Sequence, residues 1–239
     1  MNFDESVSRV VKQAERILDF EGDEVYVLLA IARKKNNPAI SWKGNDYHKG
    51  PAVFRAVVRE DNYESVIRRV MSMVYNYRHG PVRPEDFNLY LTVNPRSTRV
   101  AFHTLQGFVA DWTLAEDWER LKHLESKWYS ALQKRRSRSR KRYYIIDMDD
   151  HEDLAAADEL YQAVAIKHDN LSVRKLFLSR NGVHVVAEPF NTKAFMDAAR
   201  ERGLAVEVKT DDCVNLWCGS WWADFEPHPV EAFERKPRG

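Results

Sequence analysis

Tyr143-Tyr144-Ile145-Ile146-Asp147-Met148-Asp149-Asp150 carries a strand-like apolar run straight into three carboxylates. Side chains of a strand alternate between its faces, so Asp147 and Asp149 project on the same side and Asp150 on the other. Two carboxylates held together at the end of a rigid strand repel one another unless a cation sits between them. Mg2+ and Mn2+ prefer such hard oxygen ligands and keep positions open for substrate phosphates. Read alone, the stretch is equally a strand that ends in a polar turn, with Asp150 capping the next helix. The flanking segments separate these readings.

Downstream, residues 152–166 place Leu154, Leu160, Tyr161 and Val164 at helical spacings, and residues 173–179 read as a strand. Ser179-Arg180-Asn181-Gly182 then turns the chain into Val183-His184-Val185-Val186-Ala187, with an Asn-Gly hairpin signal between the two apolar runs. A lone strand histidine is usually a satisfied core residue. Here Ser179, Arg180, Asn181 and the Gly182 backbone surround His184 with groups suited to gripping a phosphate. Residues 189–202 read as a further helix closed by Gly203. Residues 204–208 are a strand that delivers Lys209-Thr210-Asp211-Asp212, a second strand tipped by paired acids.

Upstream, residues 133–142 (QKRRSRSRKR) hold seven cations and no apolar residue. Such a block repels itself unless a polyanion neutralises it, and it reads either as a solvated tether or as a contact for nucleic acid or triphosphate. The cations are Lys134, Arg135, Arg136, Arg138, Arg140, Lys141 and Arg142. Residues 113–132 have the spacing of one amphipathic helix, with Leu114, Trp118, Leu121, Leu124, Trp128 and Leu132 on its apolar side. Residues 87–93 read as a strand leading to Asn94-Pro95-Arg96-Ser97, where the planar fork of Arg96 suits phosphate or carboxylate. The first 80 residues alternate helix (3–20 and 62–77) with apolar runs (24–32 and 53–58) and make an N-terminal α/β subdomain ahead of a core over residues 81–239; a single compact domain is the alternative.

The chain has 239 residues, a formal net charge of +1 and two cysteines, Cys213 and Cys218, too few for a disulfide framework or a cysteine-built metal site. The acidic start of the sequence lacks the apolar stretch of a secretory signal. No apolar run reaches the ~18 residues that span a bilayer. The expectation is a cytoplasmic protein with no membrane partner.

The strand-helix-strand-strand-helix-strand order after residue 143 is that of the split βαβ plan, an α+β arrangement in which central strands bring Asp147, His184 and Asp211 to one face. Three carboxylates and a phosphate-seeking histidine describe two-metal nucleotidyl transfer. The ordered set Asn94-Pro95-Arg96, Ile146-Asp147-Met148-Asp149, Ser179-Arg180-Asn181-Gly182-Val183-His184 and Asp211 resembles the archaeo-eukaryotic primase (primase-polymerase) superfamily, in particular its minimal phage and plasmid members. That family carries a hydrophobic-Asp-x-Asp motif, a Ser-x-His motif and a later hydrophobic-Asp motif. This sequence has Gly182 two residues before His184, and Thr210 before Asp211, so the third acid is either Asp211 or Asp212.

The resemblance implies a primase-polymerase-like core whose RNA-recognition-like sheet carries the acids. Asp147 and Asp149, with Asp211 or Asp212, would ligate Mg2+ or Mn2+. Ser179, Arg180, Asn181, Gly182, His184 and Arg96 would bind the nucleotide. The implied activity is template-directed nucleotidyl transfer from NTPs or dNTPs on single-stranded DNA, with a helicase or other replication protein as the partner class. A metal-dependent nuclease using the same acids and a non-catalytic nucleic-acid-binding accessory protein are the alternatives.

Overall fold

A computed structural model of the chain describes residues 2–32, 36, 37, 53–78, 80–139, 143–148, 175–178 and 182–219. The described chain is mixed α+β with two open antiparallel sheets. The first sheet has the order β2-β1-β3-β9, from Val53–Val58, Glu24–Ala32, Phe87–Thr92 and Cys213–Cys218. A two-residue strand β4 (Arg96–Ser97) pairs with the start of β1. The strands come from both sides of residue 80, so the sheet is not interrupted there.

The β1 sequence, EVYVLLAIA, is apolar without alternation because both of its faces are covered. Tyr26, Leu28, Ala30 and Ala32 point into a core lined by helix α1 (Phe3–Glu15) and helix α2 (Tyr63–Tyr75). Val25, Val27 and Leu29 point the other way, onto Ala101, Tyr129, Ala131 and Leu132 of helices α3 (Thr98–Leu114) and α4 (Leu124–Gln133). Helix α1 starts with a reciprocal cap: Glu5 N donates to Asn2 Oδ1 (2.9 Å) and Asn2 N donates to Glu5 Oε2 (3.1 Å).

Residues 113–132 do not form the single helix their spacing predicts. Helix α3 begins much earlier, capped by Ser97 through Val100 N (3.2 Å), and ends at Leu114. Glu116 takes a positive φ of 53°, and Asp117 N closes the turn on Trp112 O (2.9 Å). A short 3-10 turn over Trp118–His123 then leads into α4, which packs back on α3. The break leaves Leu114 (86%) and Trp118 (59%) exposed, so their helical spacing does not mark a buried face. Packing of α4 against β1 decides the path, and it buries only Trp128, Tyr129, Ala131 and Leu132 of this segment.

The second sheet has the order β6-β7-β5-β8, from Lys175–Leu178, Val183–Ala187, Tyr144–Met148 and Val206–Lys209, and every pairing is antiparallel. One face carries Ile146, Met148, Val183, Val185 and Ala187, packed on Phe195 and Ala199 of helix α5 (Thr192–Glu201). Leu204 N closes that helix on Ala199 O (2.9 Å) beyond Gly203, whose φ of 70° suits a residue without Cβ. The opposite face contributes Ile145, Phe177 and Val186 to the core under the first sheet. A bulge opposite Leu89 and Tyr90 lets both Leu216 and Trp217 of β9 reach that shared core. No described helix is long and apolar enough to cross a membrane.

Gly219, just after β9, lies against the chain entering β3. A Cβ there would fall 2.1 Å from Pro84 O and 2.7 Å from Glu85 Cα, both backbone atoms that no rotamer change can move aside. Gly219→Ala is expected to lower the urea unfolding free energy by about 2 kcal/mol. Alanine tolerated at this position without loss would show that the approach is not required.

Candidate functional site

Strand register determines the site. Asp147 of β5 lies directly opposite His184 of β7 on one side and Glu207 of β8 on the other. Residues opposed across antiparallel strands share a face, so these three side chains, with Lys209 two residues beyond Glu207, belong to the face that looks toward the first sheet. Ile145, Phe177 and Val186 fill that face with apolar side chains. Asp147, His184, Glu207 and Lys209 make its polar part.

Asp147 Oδ1 lies 3.1 Å from His184 Nε2, and Oδ2 lies 2.6 Å from Lys209 Nζ. The backbone N–H of Asn215 points at His184 Nδ1 (3.4 Å). A backbone N–H can only donate, so Nδ1 accepts and Nε2 carries the proton that it donates to Asp147. His184 is buried and is thus held between the two sheets in one tautomer. The His184 hydrogen bond, joined by Lys209, outweighs burial and holds the Asp147 carboxyl well below the ordinary carboxylate range. Burial alone would lower the Lys209 pKa. Asp147, with Asp212 and Glu207 behind it, overrides that and raises it. Both shifts favour the charged forms of the pair.

Asp211 and Arg96 belong to a different constellation. Arg96 donates to Asp211 Oδ1 from Nη2 (2.8 Å) and to Oδ2 from Nη1 (2.9 Å), a bidentate pair. Arg138 Nε lies 3.2 Å from the same carboxylate, and Asn94 Nδ2 donates to it at 3.3 Å. Asn94 also clamps the residue before β5, donating to Tyr143 O (3.0 Å) and accepting from Tyr143 N. Of the two ligand classes that suit the Arg96 fork, the structure places a carboxylate on it, one from this chain. Asp211 is thus tied to two guanidinium groups, whereas Asp212 faces the Asp147 group, 3.7 Å from Lys209 Nζ.

No protein-family model matches this chain, and no curated protein matches it either.

The structure brings together Asp147, His184 and the edge of the Asp211–Asp212 turn. Gly182 is buried at the entry to β7. Asp149, Ser179, Arg180, Asn181, Arg140, Lys141 and Arg142 lie outside the described residues. Of the other basic residues, Lys134, Arg135 and Arg136 are exposed, with Lys134 Nζ 4.9 Å from the centre of the Phe108 ring. Arg138 is engaged by Asp211. Among the described residues no group of three or more His, Cys, Asp and Glu side chains is arranged to hold a metal ion.

Sequence reading missed Glu207 and Lys209. The alternation Val206-Glu207-Val208-Lys209 puts both charged residues on one face of a short strand. That signal is visible in the sequence, but its pairing with Asp147 rests on the register. Asn215, a polar residue inside an apolar strand, was the other available signal.

Proposed function

We propose that this chain is a metal-dependent nucleotidyltransferase of the primase-polymerase type, extending nucleic acid on a single-stranded DNA template. The observation that carries the reading is the juxtaposition of Asp147 and His184 on the inner face of two central strands. The order β6-β7-β5-β8 is that of the split βαβ plan, which supports the finer assignment to a primase-polymerase-like core.

The residue types supply the hard carboxylate oxygens that Mg2+ or Mn2+ prefer, while among the described residues no three of them converge on one ion. Asp147 offers a carboxylate held well below its ordinary range, Asp149 follows two residues on in the sequence, and Glu207 and Asp212 stand near Lys209, so the local charge is acidic. Asp147 and Asp149, with Asp212 the nearer of the two sequence-expected third acids, would hold the metal. When bound, it would activate the attacking hydroxyl and neutralise the triphosphate. The chain's own residues perform the remaining work. His184 orients Asp147 through Nε2–H, and the Asn215 N–H fixes the imidazole so that this orientation persists. Exposed Lys134, Arg135 and Arg136 provide a field for the DNA backbone.

One observation favours a second reading: both oxygens of Asp147 already have protein partners, as in a nucleic-acid-binding protein that keeps the sheet without the chemistry. Incubation of the full chain with a primed single-stranded template, Mg2+ or Mn2+ and either NTPs or dNTPs separates the two. Nucleotide transfer predicts a product ladder that EDTA abolishes. Salt-dependent DNA binding with no ladder under any nucleotide and metal combination would move the assignment to the binding protein.

A further inference from the structure

The hairpin of α3 and α4 keeps its charges apart. All five acids of residues 98–139 (Asp111, Glu116, Asp117, Glu119 and Glu125) fall on the tip side of Phe108 and Lys127. There Asp117 pairs with Arg120 (2.6 Å) and Glu119 with Lys122 (2.7 Å). At the root of the hairpin, Lys127, Lys134, Arg135 and Arg136 pair with no carboxylate among the described residues. Two of these cations converge on one ring: Lys134 Nζ lies 4.9 Å and Lys127 Nζ 5.2 Å from the centre of Phe108, which stacks on Trp112 at 6.4 Å. We propose that this root is a docking strip for single-stranded nucleic acid, with the four cations on its phosphates and the Phe108 ring under one of its bases. The inference rests on the reading of the chain as one that works on single-stranded DNA, and it needs no metal.

The cations of the strip are held in place. Residues Arg135–Ser137 form a 3-10 turn, the buried Ser137 donates from Oγ to Ala131 O (2.7 Å), and Ser139 N donates to Pro95 O (3.0 Å). Arg138, next in the chain, is fixed on Asp211. Through residue 139 the basic block is therefore an anchored turn and not a tether, and its field has a defined position. Like charges gathered without an anion repel one another, and a polyanion relieves that repulsion while releasing its own counterions. Contacts of an ammonium with a ring are weak at an exposed surface, and flexible lysine stems let both groups leave Phe108 for phosphates. The ring then offers a face on which any base can stack. Bases of a duplex are already stacked, so this contact selects a single strand. The acids toward the tip bound the strip on one side, and the Arg96–Asp211 joint beside the entry to β5 bounds it on the other.

The test is fluorescence anisotropy of a labelled oligothymidylate and of a labelled DNA duplex, titrated with the full chain in EDTA at several salt concentrations. A variant combining Lys127→Gln, Lys134→Gln, Arg135→Gln and Arg136→Gln is expected to flatten the slope of log affinity against log salt by about 3, at ~0.7 for each phosphate contact on a single strand. A control combining Arg59→Gln, Arg68→Gln, Lys193→Gln and Arg200→Gln removes the same formal charge from ion-paired surface positions and leaves the slope unchanged. Phe108→Leu keeps an apolar side chain against Trp112 and should weaken oligothymidylate binding about tenfold, with duplex binding and the salt slope unaltered. The charge variant changes side chains at or near the surface, so it reports on the strip even where Phe108→Leu folds poorly. A strip variant whose slope matches wild type, or moves no further than the control, overturns the strip and leaves DNA binding by this chain in place. Phe108→Leu that binds oligothymidylate as wild type does overturns the part given to the ring. Wild type that binds neither nucleic acid overturns the strip together with the single-stranded-DNA reading.

Discussion

Asp147→Asn is expected to yield a folded protein whose metal-dependent primer extension falls by at least about a hundredfold, which is close to 3 kcal/mol of barrier. The substitution keeps the shape of the side chain, and its carbonyl oxygen still accepts from His184 Nε2. It removes the negative charge that the proposed mechanism gives to the metal. A loss of this size, measured where the variant is still fully folded, would not arise from a structural residue. Extension at the wild-type rate by Asp147→Asn would remove the site assignment outright.

The same variant has a signature in acid. The His184 hydrogen bond, reinforced by Lys209, keeps the Asp147 carboxyl ionised in the folded protein at pH values where the unfolded chain, near its ordinary value of 3.8, takes up a proton. A carboxyl depressed by folding contributes stability that is fully present above the unfolded value and disappears as pH falls toward the folded one. Wild type should therefore exceed Asp147→Asn in urea midpoint by a constant margin above about pH 5. The margin should shrink through the region below pH 4. Parallel pH profiles for the two proteins would show that the His184 and Lys209 contacts do not bias ionisation of Asp147.

Much of this arrangement was legible in the sequence, for reasons that differ by element. Strands β5 and β7 announce themselves as short, largely apolar runs next to turn signals, β1 as an apolar run that leaves strand and buried helix both open, and helix α2 because Val66, Ile67, Val70, Met71 and Val74 bury one continuous stripe. Helix α3 was hidden. Its sequence, TRVAFHTLQGFVADWTL, has a weak apolar stripe and buries only Ala101, Thr104 and Trp112, so nothing periodic marks where it starts. The false helix over residues 113–132 has the converse cause: Leu114, Trp118, Leu121 and Leu124 have the spacing but stay exposed. In the site, Asp147 and His184 were readable as a strand-borne acid and an interior histidine. That they share a face followed from the split βαβ plan; that they lie directly opposite one another did not, because it depends on β5 and β7 pairing so that residue 147 meets 184. A shift of one residue would put them on opposite faces. The fork of Arg96 suited either phosphate or carboxylate, and in the structure it holds a carboxylate of this chain, that of Asp211. Its partner came from 115 positions away, a distance over which spacing carries no information.

Asp211→Ala is expected to destabilise the fold by about 3 kcal/mol or more, while Asp212→Ala costs about 0.5 kcal/mol or less. The two adjacent acids sit in opposite circumstances. The Arg96 side chain is 4% exposed and the Asp211 side chain 16%, so alanine at 211 strands a buried guanidinium and leaves Arg138 facing it with no anion between them. Asp212 is 46% exposed; its bond with Cys213 N (2.8 Å) is local, and its ion-pair distance to Lys209 is 3.7 Å in a screened position. The difference also reaches the face that carries Asp147. Asp211 holds Arg96 of β4, takes a hydrogen bond from Asn94 and, through Asn94, is linked to Tyr143 at the entry to β5. Losing it loosens the joint that fixes Asp147 relative to the first sheet, so extension should fall together with stability. Urea titrations of both variants check the energies, and Mn2+ titration below the transition separates the roles. A third metal ligand at 211 would lose Mn2+ affinity while keeping its unfolding midpoint. A structural joint at 211 would lose the midpoint first, and an intact fold with weakened metal binding would return Asp211 to the ligand set.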